Sequence, residues 1–263
     1  VCATGDILNE CIVAAEEPLP LCVLEAMVKL EEDEWLGSFV SGRLSSFFPV
    51  INETVRVNHQ SVVDWLTDEK RKWEWSGLFV NAKKVHKRMG ESCRRIWEQE
   101  SSTKEAFEYA MRHCVAHLCK GGNRKEARDL MFNFDWLLAR ARLGPPHALV
   151  EDANLTVAAG ENSNNKAFEL LRSAIKLSQP ALQRDPSQLG VQVSGRLLTH
   201  LHHPEIKQLV ETIRSKEGWH PMWPTMEQAG GACLATLAGH SGEVCSVAIH
   251  GENIISGSND KTI

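Results

Sequence analysis

His113 and His117 are the residues of this sequence whose spacing most readily suggests a metal site. They are four residues apart in a stretch with helical periodicity, so both rings project from one side of a helix. The zinc-hydrolase pattern His-Glu-x-x-His needs a glutamate after the first histidine, and this sequence has Cys114 there. The apolar stripe of the helix passes through Cys114 and leaves both histidines off it. We therefore expect no metal site in this sequence.

Nucleotide hydrolysis would require a phosphate-binding loop of the form Gly-x-x-x-x-Gly-Lys-Ser/Thr, and the sequence has none. The nearest approach is the run from Gly121 to Lys125, which has the wrong spacing and falls where a helix ends. No Ser-His-Asp set, Cys-His pair or pair of carboxylates can be assigned to a cleft. The sequence therefore predicts a chain that is not an enzyme by itself and has no catalytic residues.

The last stretch of the sequence, 232–263, carries strand and turn signals at short intervals. Runs rich in apolar and β-branched residues predict three strands, at 233–237, 244–249 and 254–258. The pair Gly239-His240 precedes the second strand, a turn with Gly251 follows it, and Asp260 lies after the third. This region is therefore expected to form β-structure. The patterns in the rest of the chain predict mainly helices.

That order resembles a WD repeat, whose signature is a Gly-His pair, short strands, an aspartate in the next turn and a closing Trp-Asp. In that family, side-chain hydrogen bonds link these groups across the blade. The resemblance implies a structural relay here through His240, Ser256 or Ser258, and Asp260. The sequence stops before a Trp-Asp. We therefore expect 232–263 to be the start of a β-propeller, an incomplete blade without a stable fold of its own.

Residues 1–66 predict a winged-helix domain. Short apolar runs at helical spacing indicate helices near 7–15 and 21–28, and a third helix carries Trp35 and Phe39 on one side. The pattern then becomes extended around a tight turn at Asn52-Glu53, which is typical of a β-hairpin. Three helices followed by a hairpin are the elements of a winged helix.

Charge argues against nucleic acid as the partner of this domain. The approach to its third helix, Glu31 to Glu34, is entirely acidic, and only Arg43 and Arg56 are basic on the helix and the wing. A groove reader needs several cations to displace counterions. Residues 1–64 carry 3 basic and 11 acidic residues, whereas 65–128 carry 15 and 9, so we expect these two parts to contact each other.

Directly after the wing, residues 57–66 resemble the winged-helix segment of STAND-class signal-transduction ATPases, which include NACHT proteins and apoptotic protease activating factor. In that family a histidine at the start of the next helix, often within Met-His-Asp, reaches the β-phosphate of bound ADP and holds the resting state. His59 matches it, with Asn58 and Gln60 in the flanking places. The residues themselves leave a second interpretation open, in which His59 only closes the wing against the helix.

Residues 67–217 predict a helical arm of stacked helical hairpins. Met89, Cys93 and Trp97 recur at intervals of four, which favours an amphipathic helix with its many lysines and arginines in solvent over a strip that stacks on single-stranded nucleic acid. A capping box at 102–105 starts the next helix, Gly121-Gly122 ends it, and one long helix should then run to Leu143.

Residues 218–231, with two prolines and two tryptophans, are expected to be a linker to the propeller. The arm and this linker also resemble the corresponding region of STAND ATPases that carry WD repeats. Most of the eight cysteines lie in apolar patterns, which indicates buried thiols in a reducing compartment. No apolar run is long enough to span a bilayer and no signal peptide is visible, so we expect a cytoplasmic protein without membrane contact.

Two functions fit these observations. The resemblance implies a non-catalytic regulatory and coupling segment of a signalling NTPase, with a nucleotide-binding module upstream and a WD-repeat sensor propeller downstream. ADP or ATP would then bind only through the upstream module, so no cofactor is expected in this segment. Partners would be proteins, and a ligand could trigger homo-oligomer formation. The alternative is a freestanding protein-interaction adaptor of helical and WD repeats, for which an initiator methionine close to Val1 is expected.

Overall fold

The structure is a computed structural model that describes residues 2–28, 46–72, 79–99, 102–158, 166–216, 218–251 and 253–263. In these ranges the protein forms eleven α-helices, three short 3-10 helices and two small antiparallel sheets. The prediction of a mainly helical chain is therefore confirmed. No described helix is both long enough and apolar enough to cross a bilayer.

The first elements form a small sheet flanked by helices. They are α1 (Cys2–Ala14), β1 (Leu19–Pro20), α2 (Leu21–Val28), β2 (Val50–Ile51) and β3 (Thr54–Val55). Strand β3 lies in the middle of the sheet, with Leu19 and Val50 both in register with Val55. The expected third helix, around Trp35 and Phe39, lies outside the described residues.

The hairpin turn between β2 and β3 follows from its two central residues. Asn52 and Glu53 both have positive φ, at 51° and 58°. Two successive positive φ values give the turn whose twist matches that of paired strands, and asparagine tolerates the first of them well. The turn predicted at Asn52-Glu53 is therefore confirmed.

Nine further helices complete the helical part of the described chain. They are α3 (Gln60–Thr67), α4 (Ala82–Glu98), α5 (Lys104–Gly121), α6 (Arg124–Met131), α7 (Phe134–Leu143), α8 (Pro146–Ala158), α9 (Lys166–Arg184), α10 (Leu189–Arg196) and α11 (Pro204–Ser215). The 3-10 helices are η1 (Glu69–Arg71), η2 (Pro186–Gln188) and η3 (Leu198–His200). Neighbouring helices bury one continuous core, as expected for stacked helical hairpins.

Helix boundaries in the arm follow the capping residues. The Thr103 side chain accepts a hydrogen bond from the Ala106 amide and begins α5, and Gly122 ends that helix in the left-handed conformation, with φ of 86°. One prediction was wrong: the single helix expected up to Leu143 is two. Asn133 accepts a hydrogen bond from the Trp136 amide at 3.1 Å and starts α7 separately. Helix α8 was not predicted at all.

Helices α4 and α5 form the centre of the arm and approach each other closely at glycines. The predicted stripe of α4 is confirmed, since Met89 and Cys93 are buried. Gly121 of α5 lies against the backbone of Lys87, and a Cβ there would be only 2.5 Å from its Cα and N atoms. The close crossing of α4 and α5 therefore depends on a glycine at this position.

Residues predicted to be a linker pack against the arm. The Ala229 amide donates to the Arg196 carbonyl at 2.9 Å, and the Gln228 side chain donates to the Gly195 carbonyl at 2.9 Å. The carbonyl of Ala229 lies 2.8 Å from His200 Nε2. The end of this segment is therefore docked on α10 and η3.

The final residues form one antiparallel hairpin, β4 (Val244–His250) and β5 (Asn253–Ser258). The two strands predicted at 244–249 and 254–258 are confirmed. The strand expected at 233–237 does not form, since those residues have no strand pairing in the described chain, and extended backbone needs a paired neighbour. The buried-thiol prediction is confirmed for Cys11, Cys93 and Cys114 but wrong for Cys245, which is exposed in this hairpin.

Candidate functional site

The structure brings the four residues of the expected relay together in the β4–β5 hairpin. His240 Nδ1 lies 3.1 Å from Asp260 Oδ2, and His240 Nε2 lies 2.8 Å from Ser256 Oγ. Because a carboxylate only accepts, Nδ1 carries the proton it donates to Asp260. In the neutral ring, Nε2 then accepts from the Ser256 hydroxyl. Ser258 Oγ accepts from the Asp260 amide at 3.2 Å.

Asp260 is the centre of this network. Its carboxylate accepts from the Thr262 hydroxyl at 2.7 Å, the Thr262 amide at 2.9 Å and the Ser241 amide at 2.8 Å. These hydrogen bonds, that from the Thr262 hydroxyl first, hold the pKa of Asp260 well below its usual range. Thr262 was not among the predicted residues of the relay. Its position two residues after an aspartate, where such side chains form local turns, was the available signal.

His59 begins helix α3, in the position that the resemblance indicates. Its ring accepts a hydrogen bond from the Ser61 amide through Nδ1 at 3.1 Å, and the Ser61 hydroxyl lies 2.8 Å from the same atom. A neutral ring that accepts at Nδ1 carries its proton on Nε2. Because the side chain is exposed, this N–H can donate to a group that approaches the end of the helix.

The histidine pair of α5 does not converge on one point. His113 Nε2 lies 3.3 Å from Glu17 Oε1, whereas His117 Nδ1 lies 2.8 Å from Nδ1 of His86 on α4. The prediction that both histidines lie off the buried face was wrong, since His117 is fully buried. It lies there because His117 Nε2 contacts the Tyr109 hydroxyl at 3.0 Å, which gives both ring nitrogens a partner.

Glu16, from the chain segment after α1, joins His86 and His117. Ligand atoms of Glu16, His86 and His117 all lie within 4.8 Å of one another, a spacing that could hold a metal ion. Burial lowers the pKa of His86 and lowers that of His117 further, so both rings are neutral and keep a lone pair. No short-range pattern could have predicted this group, because its members come from three distant parts of the chain.

The N-terminal part is fastened to the arm by complementary charge. Glu10 pairs with Arg88 at 2.6 Å, and Lys120 Nζ lies 2.6 Å from Glu16. Glu17 likewise pairs with Arg112 at 2.7 Å. The predicted contact between the acidic and basic parts of the chain is confirmed. Exposed pairs are worth little singly, so the buried apolar surface carries most of the stability.

The end of α2 is also held by side chains of the arm. The Ser92 hydroxyl donates to the carbonyl of Met27 at 3.0 Å, and Arg95 Nη2 donates to the same oxygen at 3.2 Å. Carbonyls in the last turn of a helix have no partner within it. Helix α4 therefore supplies the C-terminal cap of α2, which fixes the N-terminal part against the arm.

The described helices and their contacts define a stacked helical arm. A family model, the APAF-1 helical domain, matches residues 82–215. The match begins at the first residue of α4, ends at the last residue of α11 and covers just over half of the chain. The chain therefore belongs to the APAF-1 helical domain family. No curated protein and no solved structure matches it.

Proposed function

We propose that this chain is a non-catalytic regulatory and coupling segment of an APAF-1-like signalling ATPase. In this proposal it links an upstream nucleotide-binding module of the NACHT or APAF-1 type to a downstream WD-repeat propeller. The observation that carries the proposal is that a helical domain of this family, residues 82–215, contacts the N-terminal part before it and residues 228–230 after it. Such contacts at both ends allow a displacement of one neighbour to reach the other.

The upstream boundary of the arm supports the first half of the proposal. Helices α1 and α2 and the three-stranded sheet agree with a winged-helix domain over 1–66, followed by the arm over 67–217. His59 starts the helix directly after the hairpin and is exposed, and its ring accepts from the Ser61 amide through Nδ1, which leaves Nε2 for the proton. We propose that this N–H donates to a phosphate oxygen of ADP bound in the upstream module.

The C-terminal hairpin supports the second half of the proposal, the link to a WD-repeat propeller. The hydrogen-bond network of His240, Ser256, Ser258 and Asp260 has the members that the WD-repeat resemblance implies, and its role is structural in this proposal. We propose that 232–263 starts a sensor propeller that binds protein partners and that ligand binding there leads to homo-oligomer formation. Nucleotide binds only in the upstream module, and the protein acts in the cytoplasm without nucleic acid or membrane as a partner.

The effect of His59 on the resting state can be estimated as a coupling free energy. A contact shifts a conformational equilibrium only if it is stronger in one state than in the other. Couplings of this kind are worth about 1–3 kcal/mol, or roughly a 5- to 150-fold change in the ratio of states. A hydrogen bond from His59 to ADP in the closed state alone falls in that range and would lower the spontaneous activity of the protein.

The test compares two substitutions of His59 in the full-length protein that carries this chain. His59→Ala removes both the cap of α3 and the imidazole. His59→Asn keeps a side chain that caps helices well but is too short to replace the imidazole. The measurements are the ADP dissociation rate, the oligomeric state without ligand and the melting temperature. We expect both variants to release ADP about 5- to 150-fold faster and to oligomerise more readily.

Two outcomes would contradict this proposal. If ADP release is unchanged in both variants while only His59→Ala lowers the melting temperature, His59 is a helix cap and nothing more. If the full-length protein binds neither ADP nor ATP, the freestanding adaptor of helical and WD repeats becomes the better description.

A further inference from the structure

A group of polar side chains without a role in the proposed function lies where the segment after α1 meets α4 and α5. His117 is fully buried, and its two ring nitrogens contact His86 Nδ1 at 2.8 Å and the Tyr109 hydroxyl at 3.0 Å. Two unprotonated nitrogens cannot face each other at 2.8 Å, so one proton lies between His86 and His117. The Glu16 carboxylate completes a triangle of ligand atoms within 4.8 Å.

We propose that Glu16, His86 and His117 bind a zinc ion that clamps the segment after α1 onto the arm. Two imidazole nitrogens and one carboxylate oxygen are ligands that zinc takes in proteins, with a water in the fourth position. The ion takes the place of the proton between the two rings, and that proton moves to Nε2 of the ring that carried it, so both imidazoles stay neutral. His117 coordinates through Nδ1, His86 through Nδ1 and Glu16 through one oxygen.

The geometry needs only a small adjustment. Zinc–nitrogen bonds of about 2.0–2.1 Å at tetrahedral angles place two ligand nitrogens about 3.3 Å apart. The two Nδ1 atoms are now 2.8 Å apart, so the rings must separate by about half an ångström. His86 is half-buried and can move toward the exposed side, where Glu16 also lies and where an ion can enter.

Tyr109 orients the buried ligand. When Nδ1 of His117 holds zinc, its Nε2–H donates to the Tyr109 hydroxyl, which now lies 3.0 Å away. Histidine ligands of metals usually donate their second N–H in this way, which fixes the ring and its tautomer. Tyr109 is itself buried, so its hydroxyl is held in place by the core. It is a positioning residue and not a ligand.

Lys120 opposes metal binding and sets the expected affinity. Its Nζ lies 2.6 and 2.8 Å from the two oxygens of Glu16. One oxygen must leave Lys120 for the metal, and the lysine charge lies close to the ion. A zinc site of the same ligands without a nearby lysine does not have this cost. The proposal therefore predicts a reversible site that chelators empty, and Lys120→Gln should tighten zinc binding.

The experiment uses the full 263-residue chain, stripped of metal by chelator under reducing conditions. Zinc binding is measured by competition with a chromophoric chelator, and Co²⁺ serves as a spectroscopic probe of coordination. Wild type should bind one zinc ion. Glu16→Gln and His86→Gln should weaken binding at least about tenfold, and Tyr109→Phe about 10- to 100-fold. The absorption of bound Co²⁺ should show a low-coordinate site with nitrogen and oxygen ligands.

His202→Gln is the matched control, because His202 is exposed and its ring lies 4.3 Å from that of His203 in a second group of histidines. It should bind zinc as wild type does. The proposal is overturned if Glu16→Gln binds as tightly as wild type, if only His202→Gln loses binding, or if Co²⁺ shows thiolate bands from cysteine ligands. Circular dichroism checks that each variant is folded, and Glu16→Gln decides the test if His86→Gln is not.

Discussion

Replacing Gly121 with alanine should destabilise the protein although it improves the local helix. Gly121 is in the last turn of α5, where its backbone contacts α4. An alanine Cβ there would lie 2.5 Å from both Cα and N of Lys87 and 3.0 Å from the carbonyl carbon of His86. These are backbone atoms, so no side chain can rotate away. The two helices must move apart by about 1 Å to restore ordinary contact.

Two opposing contributions decide whether Gly121→Ala raises or lowers the free energy of unfolding. Alanine is favoured over glycine inside a helix by about 1 kcal/mol. Overpacking a close contact costs about 1–3 kcal/mol, and the upper end applies here because the obstruction is backbone and the separation also loosens the core between α4 and α5. The net expectation for Gly121→Ala is a loss of about 2 kcal/mol in the free energy of unfolding.

Gly190→Ala is the matched control for this substitution. Gly190 also lies within a helix, α10, but its added Cβ would meet only side-chain atoms of Ile213 and Phe134, each at 3.2 Å. These side chains can shift by a few tenths of an ångström, so the variant should stay within about 1 kcal/mol of wild type. Urea denaturation followed by far-UV circular dichroism measures both. If Gly121→Ala is as stable as Gly190→Ala, the close backbone contact does not determine the packing of α4 on α5.

Two further predictions concern charged groups. Asp152→Ala should lower the free energy of unfolding by about 3–5 kcal/mol, because the buried Arg140, which lies 2.9 Å from Asp152, loses its one charge partner among the described residues. Denaturant titration measures this loss, and a value below about 1 kcal/mol would contradict the prediction. Acid should weaken the hairpin network in the full-length protein. Since the folded-state pKa of Asp260 is lowered, its contribution is present above the unfolded pKa and is lost as the pH falls below about 4. The protection of the Thr262 amide from hydrogen exchange, taken relative to the intrinsic exchange rate at each pH, should then fall, and Asp260→Asn should remove that pH dependence.

Short-range features of this protein could be predicted from sequence because their partners are near in the chain. The cap at Thr103, the helix end at Gly122 and the turn at Asn52-Glu53 each depend on residues within about one turn. The sequence signal was weaker at Asn133, where a cap inside a long apolar pattern divides one expected helix into two. Periodicity continues across such a break, so the hydrophobic pattern alone does not reveal it.

Charge distribution predicted a long-range contact but not its residues. The acidic and basic parts of the chain do pair, through Glu10 with Arg88 and Glu17 with Arg112. Net charge determines that two parts attract each other, whereas the pairing of individual side chains depends on how the helices cross. The docking of Ala229 on α10 and η3 was not expected for a related reason. Its amide bonds to a backbone carbonyl, which any residue type supplies, and its carbonyl bonds to His200, which is 29 residues away.

The sequence by itself determined the helical class of the protein, the ends of several helices and the order of groups in the final hairpin, because each depends on local backbone preference or on spacing along the chain. Tertiary structure alone decided the surroundings of His117. Its partner His86 is 31 residues away on another helix, and Glu16 comes from a third segment. Periodicity placed His117 on the polar side of α5, but the packing of α4 and of the segment after α1 against that helix buried it. A buried face is defined by all of the neighbours of a helix, and a single helix does not encode them.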